Sequence, residues 1–175
     1  MELKGSKTAK NLMTAFSAEC MARVKYSLYG ERARTDGYEE IGDIFDTISG
    51  NEYAHARLLL RSMLGKGVDT LANLNDSERG ENFEQSEMYP SYATVAESEG
   101  FTDIAQTFRL LAEIEKSHEQ IYSGLIKKME KGEVFKSDKK TAWICLNCGH
   151  IYEGTEPPLR CPTCSHPQSY FKIKD

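Results

Sequence analysis

The chain has 175 residues, 39% of them hydrophobic and 28% charged, with a net charge of -5 and an isoelectric point near 5.5. That length suffices for one good core plus a small module, and the acidic balance argues against a nucleic-acid partner, whose phosphates require clustered Lys and Arg. No run approaches the ~18 apolar residues of a membrane span, and Met1 to Gly5 holds no apolar segment behind a basic cluster, so neither a membrane partner nor secretion is expected and the cytoplasm is the expected location.

The first predicted helix runs from Thr8 to Asp36 and carries Glu19 on the side of Phe16 and Tyr26. Cys20 follows Glu19 directly and so points about 100° away, which predicts a buried, inert thiol. Gly37 stops this helix, and a second opens at Tyr38 and extends to Leu64. Its apolar stripe is Ile41, Phe45, Ile48, Glu52, His55 and Leu59, so a glutamate and a histidine stand three apart where core residues belong. A bare carboxylate in a bundle core costs several kcal/mol, on the order of a broken buried ion pair, so a cation is expected beside it.

Gly65, Gly67 and the polar stretch 70–75 then separate the chain into halves, and a third helix is expected from Asp76 to Glu99. After Gly100 the fourth spans Thr102 to Lys131, with the stripe Ile104, Phe108, Leu111, Glu115, His118, Tyr122, Leu125. The lysines Lys127, Lys128, Lys131, Lys136, Lys139 and Lys140 mark a solvated helix end and linker.

Sliding the chain by 63 residues aligns Tyr26 with Tyr89, Tyr29 with Tyr92, Gly37 with Gly100, Phe45 with Phe108, Glu52 with Glu115 and His55 with His118. This internal repeat predicts two helical hairpins forming a four-helix bundle. Two Glu-x-x-His pairs in register with the core predict two metals, each held by a carboxylate and an imidazole one helical turn apart.

The repeat also predicts a carboxylate on each first helix. Glu19 serves in the first half, but its offset mate is Asn82. One extra residue within the third helix restores the match at Glu81, which is the signature of a π-bulge. Glu84 then faces the same interior, while a Glu84-x-x-Glu87 pairing in place of Glu81 stays open. The expected donor set is Glu19, Glu52, His55, Glu81, Glu84, Glu115 and His118, suited to iron or manganese. Two divalent ions nearly balance its five carboxylates. Tyr26 and Tyr89 stand close enough to hydrogen-bond carboxylate oxygens or to pack, and Tyr29 and Tyr92 are expected only to pack.

Near the C-terminus, Cys145-Leu-Asn-Cys148 and Cys161-Pro-Thr-Cys164 have the spacing of a tetrahedral four-thiolate site for zinc or iron. His150 and His166 are expected at the surface, because four sulfurs already fill the cage. Gly149, Tyr152, Pro162, Trp143 and Phe171 around these knuckles resemble rubredoxin.

The duplicated carboxylate bundle and the rubredoxin-like tail together closely resemble rubrerythrin over essentially the whole chain. The resemblance implies an all-α, ferritin-like four-helix domain over residues 1–138, with two irons. A rubredoxin-like β-module with one iron, residues 139–175, would follow. It implies a peroxidase reducing hydrogen peroxide to water in oxidative-stress defence, with Glu84, His55, Tyr26 and Tyr89 active in turnover. Glu84 would exchange with His55 at one iron as its oxidation state changes. Electrons would come from an NAD(P)H-linked reductase or rubredoxin. An iron-oxidising storage protein and a zinc-ribbon adaptor are the other readings; the first does not need an electron relay and the second leaves the core carboxylates unexplained.

A ferritin-like path requires the link between the second and third helices to return along a helix of roughly 40 Å, whereas its eleven residues reach only about 36–40 Å extended. A homodimer in which each bundle joins hairpins of two chains is therefore expected.

Overall fold

A computed structural model describes residues 3–64 and 69–174 and divides into two compact units, Met1–Val68 and Asp69–Asp175. The first is a helical hairpin of α1 (Lys7–Thr35) and α2 (Glu39–Leu64). Ser6 opens α1, its Oγ accepting from the Ala9 amide at 3.1 Å. At the other end Gly37 takes φ +90°, and Tyr38 N–H donates to Ala33 O while Gly37 N–H donates to Arg34 O, both at 2.9 Å. These paired bonds satisfy the last carbonyls and turn the chain back on itself.

The residues buried where the two helices cross are small: Gly30, Ala33, Gly42, Ser49 and Ala56. A Cβ at Gly30 would lie 3.2 Å from the Gly42 carbonyl, so the absence of a side chain sets how closely the backbones approach. Ser49 Oγ adds a bond across the hairpin to Arg23 O at 2.9 Å.

The second unit repeats this construction. Its helices are α3 (Thr70–Phe83), α4 (Tyr89–Ser98) and α5 (Thr102–Glu130), with a π-helical segment, Glu84–Met88, joining α3 to α4. Gly100 has φ +87°, and Phe101 N–H reaches Ala96 O at 2.8 Å. The buried Ala93, Ala96 and Ala105 occupy the places that Gly30, Ala33 and Gly42 hold 63 residues earlier. Gly132, at φ +66°, ends α5 by the same motif.

A three-stranded antiparallel sheet follows, in the order β2-β1-β3, from β1 (Thr141–Cys145), β2 (Ile151–Gly154) and β3 (Phe171–Ile173). Trp143, Cys145, Cys161 and Phe171 form its core, and Trp143 Nε1 donates to Gly154 O at 3.0 Å. Such a core is too small to hold a module of this size without a metal. The expected class, helical with a rubredoxin-like β-module, is the one observed.

Some sequence expectations are corrected. The third helix begins at Thr70 rather than Asp76, because Asp69 Oδ1 accepts from the Ala72 amide at 2.8 Å and caps it. The polar stretch 70–75 is thus helix, not linker; Gly65 and Gly67 lie outside the described residues. Ile41, Ile48 and Ile104, expected to be buried, are exposed in the single chain, since two crossing helices bury only the small residues along their contact line. Tyr152 is 38% exposed; it lies over Gly154 at the sheet edge rather than in the module's core.

Candidate metal centres

Each helical unit assembles three donors. In the first, α1 supplies Glu19 and α2 supplies Glu52 and His55, with His55 Nδ1 3.0 Å from Glu52 Oε2 and 3.7 Å from Glu19 Oε2. In the second, α3 supplies Glu81 and α5 supplies Glu115 and His118, with the matching distances 2.7 and 3.6 Å. The repeat therefore extends to the geometry of the donors. In each group one atom per residue lies within 4.8 Å of the others, close enough for small side-chain movements to bring all three onto one hard divalent cation.

Electrostatics agree with a cation-binding role. The Glu19 carboxyl is pushed above its ordinary range, first by its hydrogen bond with Glu52 and then by burial. That same bond, followed by the one to His55, lowers Glu52, so the two acids titrate as a pair. Glu81 is raised by burial and then by Glu115. Like charges this close are favourable only with a proton or a metal between them.

The π-helical segment is the extra residue that the repeat required. Tyr89 N–H reaches back to Glu84 O, and Pro90, next along the chain, has no amide to donate and would crowd a normal helical turn. The wide turn brings Glu84 to the half-buried side and leaves Glu87 exposed. Glu84 acts on both Glu81 and Tyr89 but does not join the three-donor group. Tyr26 and Tyr89 are half-buried against Phe45 and Phe108. Cys20 is half-buried rather than fully buried.

The four cysteines close a cage. Cys145 Sγ lies 3.7 Å from Cys164 Sγ, and Cys148 Sγ lies 3.6 Å from Cys161 Sγ. Tetrahedral sulfurs bound at about 2.3 Å would be roughly 3.8 Å apart, so the thiols already stand at ligand separation. The knuckles are built alike: Gly149 N–H donates to Cys145 O and Ser165 N–H to Cys161 O, both at 2.8 Å, with φ +74° and +60°.

The second cysteine of each knuckle is the more exposed of its pair. The His166 amide, against the cost of burial, brings Cys164 down to about 6, helped by Cys148 and Asn147. The His150 amide also lowers Cys148, but burial and the neighbouring sulfurs outweigh it and push that thiol up to about 12. Asn147 was not singled out from sequence; nothing in its type or spacing marks it. His150 and His166 are half-buried, not surface groups, because Thr163 Oγ1 meets His150 Nδ1 at 3.0 Å and the Tyr170 ring lies 4.4 Å from that of His166.

Carboxylate and imidazole groups on each of two helical hairpins, followed by a tetrathiolate β-module, define a metalloprotein with oxygen-rich donor sets on its helices and a sulfur site suited to single electrons. The rubrerythrin family model matches residues 10–126, and the model for the rubrerythrin rubredoxin-like domain matches residues 143–172. The chain belongs to the rubrerythrin family. It is 43% identical to rubrerythrin of Clostridium perfringens, over 98% of this chain and 96% of that protein. Rubrerythrin of Nitratidesulfovibrio vulgaris is 39% identical at the same coverage of each. Nigerythrin of the same organism is 28% identical over 94% of this chain and 85% of that protein. The cofactors are two irons held by glutamate and histidine and one iron held by four cysteines, which these donors fit.

Proposed function

We propose that the protein is a non-haem di-iron peroxidase that reduces hydrogen peroxide to water in cytoplasmic oxidative-stress defence. The observation that carries this reading is one chain holding both an oxygen-donor dinuclear set and a preformed thiolate cage. An iron store has no use for the second, and an adaptor has none for the first. When bound, the two irons supply the two electrons, and the positive charge, that split the O–O bond.

The chain's own groups divide the remaining work. Glu52 and Glu115, each against its histidine, would be shared by the two irons, and Glu19 and Glu81 would each hold one. Glu84, carried on the π-helical segment that follows Glu81, would exchange with His55 at one iron as its oxidation state changes. Tyr26 and Tyr89 orient carboxylates from the half-buried side. Electrons enter at the four-cysteine centre of residues 139–175 from an NAD(P)H-linked reductase or rubredoxin, then pass to the helical domain of residues 1–138.

The same reading includes a homodimer with exchanged hairpins. Glu52 lies about 18 Å along α2 before its end at Leu64, and Glu81 lies roughly 16 Å beyond the start of α3 at Thr70. Ferritin-like bundles run these two helices parallel through one long crossover, which here would have to bridge about 34 Å. The five residues between Leu64 and Thr70 reach roughly 20–22 Å. The helix start at Thr70 therefore strengthens the case for half-sites that complete one another between two chains.

The test is anaerobic. Iron-loaded, fully reduced protein mixed with peroxide should regain the red colour of the oxidised cysteine centre within the reaction time and consume one peroxide per two electrons. Glu84→Ala should slow this at least tenfold while leaving the helical spectrum unchanged. A colourless, zinc-loaded module, or iron deposition without peroxide consumption, would reject the assignment.

A further inference from the structure

The two sulfur contacts of the cysteine cage, Cys145 Sγ to Cys164 Sγ at 3.7 Å and Cys148 Sγ to Cys161 Sγ at 3.6 Å, both run from one knuckle to the other. Together they use all four thiols and leave none over. A disulfide holds its sulfurs at about 2.05 Å, so each pair has roughly 1.6 Å to close, a movement that rotations of two side chains can share.

This pairing bears on the fold. Trp143, Cys145, Cys161 and Phe171 are the buried core of the module, too small to hold it unaided. Disulfides between the knuckles would tie positions 19 and 13 apart in the chain, and each would include one of the two core cysteines. Disulfides within a knuckle would close only a Cys-x-x-Cys turn and leave the two knuckles unjoined. A cross-link restrains the unfolded chain more as the loop it closes lengthens, so only the first pairing can stand in for the metal.

We propose that the four-cysteine module is a reversible peroxide switch. When peroxide outruns the supply of electrons, the cage gives up its iron and closes as the disulfides Cys145–Cys164 and Cys148–Cys161, which keep the module folded until it is reduced and reloaded. The proposal rests on the peroxidase reading only for the source of its oxidant.

In the balanced step, one thiolate of a pair attacks peroxide and the O–O bond breaks. A sulfenic acid forms, and the departing hydroxide takes a proton from solvent as the first water. The opposite thiolate attacks that sulfur, the S–S bond forms as the S–O bond breaks, and a second proton from solvent gives the second water. Each pair loses two electrons to one peroxide, so closing both consumes two, and the iron leaves ferric with its oxidation state unchanged.

A sulfenic acid can also meet a second peroxide and become a sulfinic acid, which thiols do not reduce. A partner sulfur held 3.6 to 3.7 Å away reacts within the molecule, at an effective concentration that free peroxide does not match. The geometry of the cage therefore favours the reversible product.

The test uses full-length, iron-loaded, oxidised protein given excess peroxide and a ferric chelator with no reductant. Free thiols are then blocked and the disulfides mapped by peptide mass spectrometry. Cleavage after Arg160 separates the two knuckles, so only disulfides between them leave the two peptides joined. The expected result is loss of the red colour, joined peptides at least fivefold over separated ones, and fragments that pair Cys145 with Cys164 and Cys148 with Cys161. Trp143 emission should stay where it is in the loaded protein, and dithiothreitol followed by ferrous ion and air should return the colour. Retention of the colour, separated peptides with internal disulfides or sulfonic acids, or a red shift of Trp143 emission would overturn the switch. Cross-knuckle links in a protein that fails to consume peroxide when fully reduced would support the switch and overturn the peroxidase reading.

Discussion

Arg34 on α1 donates to Asp46 on α2 at 2.7 Å, and 63 residues later the same two places are held by Glu97 and Arg109, an ion pair with its charges exchanged. The position of the contact is fixed by the turn. Each pair straddles a glycine of positive φ, one member just before it on the outgoing helix and the other on the returning helix. The sign of the charge is free to vary, because the attraction is the same either way round.

Beside this pair, Gly30 is where a side chain would meet the backbone of the other helix. A Cβ there would stand 2.9 Å from Asp46 Oδ1 and 3.2 Å from the Gly42 carbonyl. The carboxylate can move, but the backbone carbonyl cannot without parting the helices. Gly30→Ala is therefore expected to destabilise the protein by about 1–3 kcal/mol, despite the better helix propensity of alanine. Urea denaturation checks this, and a variant at least as stable as the parent would show that the crossing is looser than it looks.

Exchange of hairpins has a genetic signature. A chain carrying Glu52→Ala and His55→Ala lacks the first half-site, and one carrying Glu115→Ala and His118→Ala lacks the second. Neither should turn over peroxide alone. Co-expressed, they should recover about a quarter of the parent activity, because half the dimers are mixed and each mixed dimer reunites two intact hairpins at one of its two sites. Co-expression no better than the separate variants would place both hairpins of a site in one chain.

Glu81 gives a pH dependence whose sign can be worked out. Its carboxyl is raised above the ordinary 4.5, first by burial and then by Glu115. An acid raised on folding binds its proton more tightly when folded, so at neutral pH the folded chain carries the ionised form at a cost. That cost disappears as pH falls below 4.5. In metal-free protein, Glu81→Gln should raise the melting temperature by a few degrees at pH 7, with the gain closing as the buffer is taken down to pH 4. With ferrous ion bound the effect should reverse, since a ligand has been removed. A gain independent of pH would point to packing instead of charge.

The single tryptophan makes the cysteine module separately observable. Trp143 is 1% exposed within the module's core, which Cys145 and Cys161 share and against which Cys164 packs. Stripping the metal with a strong chelator under reducing conditions should shift Trp143 emission to the red while the far-ultraviolet helical signal stays nearly unchanged. Unchanged emission after confirmed metal loss would mean that the module folds without metal.

Much of this was legible in residue order because helices and short knuckles are local structures. The two glycine stops, the Glu-x-x-His spacing and the paired Cys-x-x-Cys turns each act over fewer than about six residues, so type and spacing are enough. Even the π-helical segment could be inferred, since a repeat of 63 residues that slips by one at Glu81 leaves an extra residue to be accommodated before Tyr89.

Other features depended on what lies nearby in space. That the polar stretch after Asp69 is helix, that small residues and not the isoleucine stripe are what one hairpin buries, and that Glu84 stands apart from the three-donor group are decisions of packing and capping. So is the distinction between Cys148 and Cys164, which share one spacing but sit among different amides and sulfurs. The sequence by itself determined which donors this protein carries and on which helical faces, because covalent order sets helical phase. Only the tertiary structure decided which donors meet and how each is charged, because distance and burial arise only once segments remote in the chain have come together.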